Sequence, residues 1–271
     1  MKSFVWVGFS YFHFIFIPYI LRKNMTLPLD IPSFILLIIA AMLIGLSKTG
    51  IPGIGILPIV MVAFIWESPK ESVGIILPIL IFCDLFAVTK YHRNVEWKML
   101  LHLFPTVVLG MLPAWWLLGA LPDRPFKIGL GILILTLLGL EWLRRHLAMD
   151  QIPQKRWFTT LMGFLAGFSS TIANAGGPVM TIYLLSFRMP KERFVGTCAW
   201  FFFLLNVSKL LPTCNQGVIT LSTLSVNLWM IPTALVGVFL GIWLLPWIPQ
   251  RRFEQLASVL TAVAAILLLV R

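Results

Sequence analysis

Long apolar segments dominate the chain, and short polar stretches separate them. Most are near or beyond the roughly 20 residues that cross a bilayer as a helix. Hydrocarbon offers backbone polar groups no other easy partner, so the pattern predicts an all-α polytopic membrane protein. The apolar segments are 4–21, 34–66, 72–89, 99–121, 126–143, 157–187, 194–211, 218–247 and 255–270.

Composition agrees with a membrane protein, because 59% of the 271 residues are hydrophobic and only 11% are charged. Mean hydropathy is +0.93. The net charge of +11 is spread over short loops and forms no basic face with interleaved aromatics, which argues against a nucleic-acid partner. It is better explained by basic loops retained in the cytoplasm. We therefore expect a multi-pass protein of the cytoplasmic (inner) membrane, with the lipid bilayer as its partner.

The sequence contains no recognisable catalytic or metal-binding motif. The three cysteines, Cys83, Cys198 and Cys214, lie in or beside apolar segments without metal-ligand spacing. The histidines form no cluster, and no nucleophile motif, carboxylate pair or ATP site is present. We therefore predict no catalytic residues, no metal and no cofactor.

The first apolar segment has a lysine before it but no small-residue cleavage site after it. Residues 1–29 are interpreted as an uncleaved apolar helix with a linker. Alternatively, Met25 begins the functional core and residues 1–24 are a dispensable extension.

Two halves of the chain resemble each other. "GLSKTGIPGIG" from Gly45 aligns with "GFSSTIANAGG" from Gly167, 122 positions later, and "PKESVG" (69–74) aligns with "PKERFVG" (190–196). A third block, 110–127, resembles 237–254 at an offset of 127. Three similar blocks in one order indicate an internal repeat.

The domain organisation follows from this repeat. Each half has a long interrupted segment, which we interpret as a broken or re-entrant helix hairpin, followed by three spanning helices. An odd number of crossings would invert the second half relative to the first. The predicted units are an N-terminal helix and linker (1–29), a first transmembrane repeat (30–146), a basic cytoplasmic linker (147–156) and a second repeat (157–271).

Loop charge favours inverted over parallel repeats. With inversion, the basic loops 90–98, 188–193 and 250–252 join the basic linker in the cytoplasm, while 67–71 and the uncharged 213–217 lie outside. A parallel arrangement would place two of those basic loops outside. The exceptions to the charge rule are Arg22, Lys23 and the loop 122–127.

The interrupted segments carry the candidate binding residues. Broken helices near the bilayer centre create substrate sites, and helix N-termini with glycine-rich approaches suit anions. In one alternative, the glycines only kink helices or permit close packing. Hydroxyls, amides and breakers nevertheless coincide in both halves. The candidates from these segments are Ser47, Lys48, Thr49, Gly50, Gly53, Gly55, Ser169, Ser170, Thr171, Asn174, Gly176 and Gly177.

Ionisable residues within the later apolar segments add to this set. Asp84 aligns with Asn206 at the offset of 122, and Lys209 lies one helical turn beyond Asn206. Charge within a span usually faces a polar cavity. Asn206 and Lys209 are thus candidate substrate ligands, and Asp84 is a candidate for proton coupling or charge balance. For Lys209 and Lys90, snorkelling to the interface is the alternative.

These segments resemble the TauE/SafE sulfite exporter family, also called TSUP permeases. Each half opens with "G-x-S-x-T" followed by "G-x-G" or "GG-P", and a "P…VG" block comes later. The resemblance covers about residues 30–271. It departs from the family at "SKTGIPGIG", where members are often richer in glycine, and at "IANA". The matching positions are Gly45, Ser47, Thr49, Gly53, Gly55, Gly167, Ser169, Thr171, Gly176 and Gly177.

The resemblance implies a transporter for small sulfur-containing anions such as sulfite or organosulfonates. Our leading hypothesis is a secondary transporter, an exporter, that works by alternating access, with Lys48 as the main cation of the site. An anion channel and a non-transport membrane subunit of a larger complex stay open as alternatives. The exact anion, the direction of transport, the coupling ion and the oligomeric state are not specified by the sequence.

Overall fold

A computed structural model describes residues 31–48, 55–65, 69–146, 156–187 and 190–244, together with residues 259, 263 and 266. The longer ranges are helical, as the apolar pattern predicts. The helices are α1 (Ile31–Lys48), α2 (Ile56–Ile65), α3 (Pro69–Tyr91), α4 (Trp97–Ala120), α5 (Asp123–His146), α6 (Arg156–Ala173), α7 (Gly177–Leu185), α8 (Lys191–Asn215) and α9 (Leu221–Leu244).

Five of the described helices are long and apolar enough to cross a membrane, namely α1 and the spans within α3, α4, α8 and α9. This confirms the all-helical membrane fold. The predicted N-terminal helix at 1–29, nearly all of the basic linker 147–156 and most of the apolar segment 255–270 lie outside the described residues.

Both interrupted segments consist of two helices. The segment 34–66 contains α1 and α2, and the segment 157–187 contains α6 and α7. In the second segment, Asn174 ends α6 in the left-handed conformation with φ of 52°, and its N–H donates to the Ser170 carbonyl at 2.8 Å. Asparagine tolerates this backbone better than most residues. Gly176 and Pro178 then begin α7.

Repeat-related glycines make equivalent helix crossings. Gly45 of α1 lies against the Ala234 carbonyl of α9, and Gly167 of α6 lies against the Val107 carbonyl of α4. Gly45 and Gly167 are 122 positions apart, and Val107 and Ala234 are 127 apart, which are the two offsets of the sequence repeat. A Cβ at either glycine would overlap the facing backbone. Each crossing therefore pairs one helix of the first half with one helix of the second half.

The helices α3 and α8 pack together in an antiparallel register. Gly74 contacts the Val218 carbonyl just beyond α8, and the Asp84 carboxylate contacts the Asn206 amide near the middle of both helices. Ala87 and Val88 then cluster with Ala199. Residue numbers therefore increase along α3 in the direction in which they decrease along α8.

Contacts at the two ends of this pair define two faces of the helix bundle. At the first, which we call the Glu96 face, the Glu96 carboxylate pairs with Arg193 at 2.6 Å and the Glu96 N–H donates to the Thr197 hydroxyl at 3.0 Å. At the opposite Val218 face, Gln216 Nε2 donates to the Trp115 carbonyl at 2.8 Å. The loops 92–96 and 190 onward therefore lie on the same side.

Candidate functional site

A cavity of about 110 Å³ lies where α1, α2, α3, α6, α7 and α8 meet. With roughly 30 Å³ per water in the liquid, it has room for one small polyatomic ion and a little water. Its wall combines polar and apolar side chains from both halves of the chain. The polar lining residues are Ser47, Lys48, Asp84, Ser170, Asn174, Thr181, Cys198 and Asn206.

Lys48 supplies the positive charge of this cavity. It is the last residue of α1, and its ammonium pairs with Asp84 Oδ1 at 2.6 Å. The Lys48 side chain keeps 12% of its surface exposed, whereas the Asp84 side chain keeps 1%. The ammonium also lies 4.7 Å from the centre of the Phe202 ring, an arrangement that favours a cation. Lys48 is thus fixed on one side and open to the cavity on the other.

Asp84 and Asn206, which align at the offset of 122 in the sequence, contact each other directly. Asn206 Nδ2 donates to Asp84 Oδ2 at 2.6 Å. This leaves the buried Asn206 Oδ1 without a hydrogen-bond partner among the described residues. A buried polar atom without a partner is costly, and water or a ligand often satisfies it.

Two helix N-termini also border the cavity. Gly55 and Ile56 line it at the start of α2, and Gly177 and Pro178 line it at the start of α7. The first backbone N–H groups of a helix have no partner within that helix and carry partial positive charge. Together with Lys48 they make the cavity suitable for an anion.

Lys209 occupies a different place from the one we predicted for a substrate ligand. Its side chain is buried and does not line the cavity. Its ammonium donates to the Ser170 carbonyl at 3.0 Å, the Ser170 hydroxyl at 3.1 Å and Asn174 Oδ1 at 2.7 Å. The Lys209 ammonium therefore donates hydrogen bonds at the carboxyl end of α6, where the helix break begins, and not into the cavity.

The remaining predicted residues are divided between the cavity wall and its surroundings. Ser47 lines the cavity, although its hydroxyl donates to the Ile44 carbonyl at 2.7 Å. Ser169 and Thr171 are buried behind the wall, and Gly176 packs against the Ser170 side chain. Thr49, Gly50 and Gly53 lie outside the described residues.

Sequence reasoning missed the α8 wall of the cavity. Cys198, Phe202 and Asn206 all line it and are spaced four residues apart, which places them on one helix face. Only Asn206 was predicted, since cysteine and phenylalanine are ordinary in an apolar span. The regular spacing back from Asn206 was the signal that could have identified Phe202.

The side chains at and beside the cavity carry a net positive charge. Two lysines, Lys48 and Lys209, face one aspartate, Asp84, within this group of contacts. The described residues contain no group of three or more metal-ligating side chains. The net positive charge and the absence of such a group suit an anion better than a metal cation.

A bundle of helices long and apolar enough to span a membrane, with a partly polar cavity between them, is typical of a membrane transporter. The family model described as Sulfite exporter TauE/SafE matches residues 36–268. The chain therefore belongs to the TauE/SafE sulfite exporter family, whose members are transporters and not enzymes. No curated protein and no solved structure matches the chain.

Proposed function

We propose that the protein exports small sulfur-containing anions, such as sulfite or organosulfonates, across the cytoplasmic membrane. One observation carries the proposal: Lys48 and the N-termini of α2 and α7 converge on one cavity. A sulfur oxoanion offers several acceptor oxygens, so one ion can accept from the ammonium and from helix N–H groups together.

The proposed mechanism is alternating access between two inverted repeats. The antiparallel register of α3 and α8 supports it, because these helices occupy equivalent places in the two halves. The related crossings at Gly45 and Gly167 also support it, since each pairs a helix of the first half with a helix of the second. A rocking of one half against the other would then exchange the contacts at the two faces.

The cavity extends toward the Glu96 face. Along α8 it is lined from Asn206 to Phe194, and Phe194 lies beside Arg193 of that face. Lys90, Arg93 and Lys98 cluster near the same end, as expected for a cytoplasmic surface. The described conformation therefore supports an inward-oriented site, with the contact between Gly74 and the Val218 carbonyl closing the opposite side.

Asp84 has the role of charge balance in this proposal. An anion that binds Lys48 competes with the Asp84 carboxylate for the same ammonium. When the anion leaves, Asp84 again compensates Lys48, so the empty site does not hold an unpaired buried charge. A carboxylate that loses Lys48 to the anion would be buried without its counter-ion, so proton uptake by Asp84 at that step is the coupling we propose.

The test is uptake of sulfite and organosulfonates into proteoliposomes, with and without a pH gradient. We expect saturable flux that Lys48→Ala abolishes. Lys98→Ala, an exposed lysine at the same face, is the matched control and should keep wild-type flux. Unchanged flux in Lys48→Ala would remove Lys48 from the site, and non-saturating flux with single-channel currents would identify an anion channel instead.

A further inference from the structure

A second cavity of about 260 Å³ lies between α3 and α9 and adjoins the anion cavity. The two cavities share Lys48 and Ala87 in their walls. The second one continues along α3 toward the Glu96 face and ends near Lys90. Beyond Lys48 and Ala87, the wall residues that matter here are Phe86 and Lys90 on α3 and Val238, Phe239 and Ile242 on α9.

Most of this wall is hydrocarbon, with aromatic and branched side chains from Phe86, Val238, Phe239 and Ile242. A small hydrated oxoanion would lose its water here without finding enough donors, which is unfavourable. Apolar groups have no such penalty, and the space is partly open, since Phe86 is 36% and Phe239 is 62% exposed. The volume and the wall therefore fit a hydrocarbon group better than a bare ion.

The position of Lys48 gives this hydrocarbon space a charged end. The Lys48 side chain lines both cavities, so an anionic head held by its ammonium in the first cavity would lie beside the second one. Lys48 contacts Asp84, and Lys90 follows Asp84 by six residues, or about 9 Å along a helix. The space along α3 corresponds to a chain of about six carbons.

We propose that the second cavity binds the hydrocarbon part of an organic anion whose charged head is held by Lys48. This inference rests on the proposed anion site at Lys48. It makes the preferred substrate an organic sulfonate with an apolar tail rather than bare sulfite. Lys90, near the far end, attracts the anion toward the mouth.

The test is a chain-length series of linear alkane-1-sulfonates, from methanesulfonate to octanesulfonate, titrated into the purified full-length protein in lipid nanodiscs. Affinity should rise by up to about fourfold per added methylene and level off near six carbons. Empty nanodiscs give the contribution of partition into lipid, which is subtracted.

Two variants alter the cavity without touching Lys48. Ile242→Trp should fill it and flatten the chain-length dependence, while methanesulfonate affinity stays at the wild-type value. Phe239→Ala should enlarge it and shift the plateau to longer chains. Val236→Trp is the matched control, because Val236 is exposed on the same helix and does not line the cavity.

Each outcome decides the question. If methanesulfonate and sulfite bind but affinity does not depend on chain length, lipid or protein occupies the second cavity and this inference is wrong while the proposed function stands. The same conclusion follows if Ile242→Trp and Val236→Trp behave alike. If neither sulfite nor any sulfonate binds, the proposed function fails as well.

Discussion

Replacing Asp84 by asparagine removes the negative charge that competes for Lys48. The wild-type carboxylate contacts the Lys48 ammonium at 2.6 Å and is almost fully buried. Asparagine keeps nearly the same shape and retains an oxygen that can accept from Asn206. The substitution therefore changes the charge of the site with little change in its volume.

The size of the effect follows from the geometry. An anion that accepts from the opposite side of the Lys48 ammonium, at about 2.8 Å, lies about 5 Å from the Asp84 carboxylate. Two unit charges at that separation repel by about 3 kcal/mol at an effective dielectric constant of 20 and by about 0.8 kcal/mol in water. We expect anion affinity to rise about tenfold in Asp84→Asn, within limits of about fourfold and about 200-fold.

The assay is equilibrium binding of sulfite or methanesulfonate by isothermal titration, with proteoliposome flux measured on the same preparations. Binding should tighten while turnover slows, because the carboxylate no longer competes with the anion at release. Lys48→Ala supplies the second arm of a double-mutant cycle. In that background the unpaired Asp84 carboxylate still repels the anion, so Asp84→Asn should recover part of the affinity that Lys48→Ala removes.

One result would refute this reasoning. If Asp84→Asn weakens binding as strongly as Lys48→Ala does, while thermal unfolding shows an intact fold, then Asp84 holds Lys48 in position and does not compete with the anion. Charge balance by Asp84 would then be wrong. The anion site at Lys48 could stand without it.

Three further predictions concern packing, the helix break and the Glu96 face. Gly45→Ala should destabilise the protein by about 1–3 kcal/mol in thermal unfolding through overlap with α9, whereas Gly129→Ala, with open space around it, should not. Lys209→Met should lower stability by about 3 kcal/mol, since the Ser170 hydroxyl and Asn174 Oδ1 lose their charged donor, and equal stability would contradict this role of Lys209. Glu96→Gln should cost less than about 1 kcal/mol in thermal unfolding because its partner Arg193 is exposed, and a larger loss would contradict this reading of the pair.

The apolar periodicity, the breakers and the repeat offset determined much of this protein from sequence alone. Helices followed, because a bilayer leaves the backbone no alternative. The two breaks followed from glycine, proline and asparagine, which interrupt helices through their own backbone preferences. The repeat even matched Asp84 with Asn206 before any contact between them was known.

Only the tertiary structure decided which polar residues reach the cavity. Lys48 and Lys209 look alike in sequence, as single lysines in apolar segments with hydroxyls nearby. Lys48 lines the cavity and pairs with an aspartate, whereas the Lys209 ammonium is hydrogen-bonded to the carboxyl end of α6. The second cavity likewise depends on how α9 crosses α3, because a void is a property of several packed helices and has no local signature in any one of them.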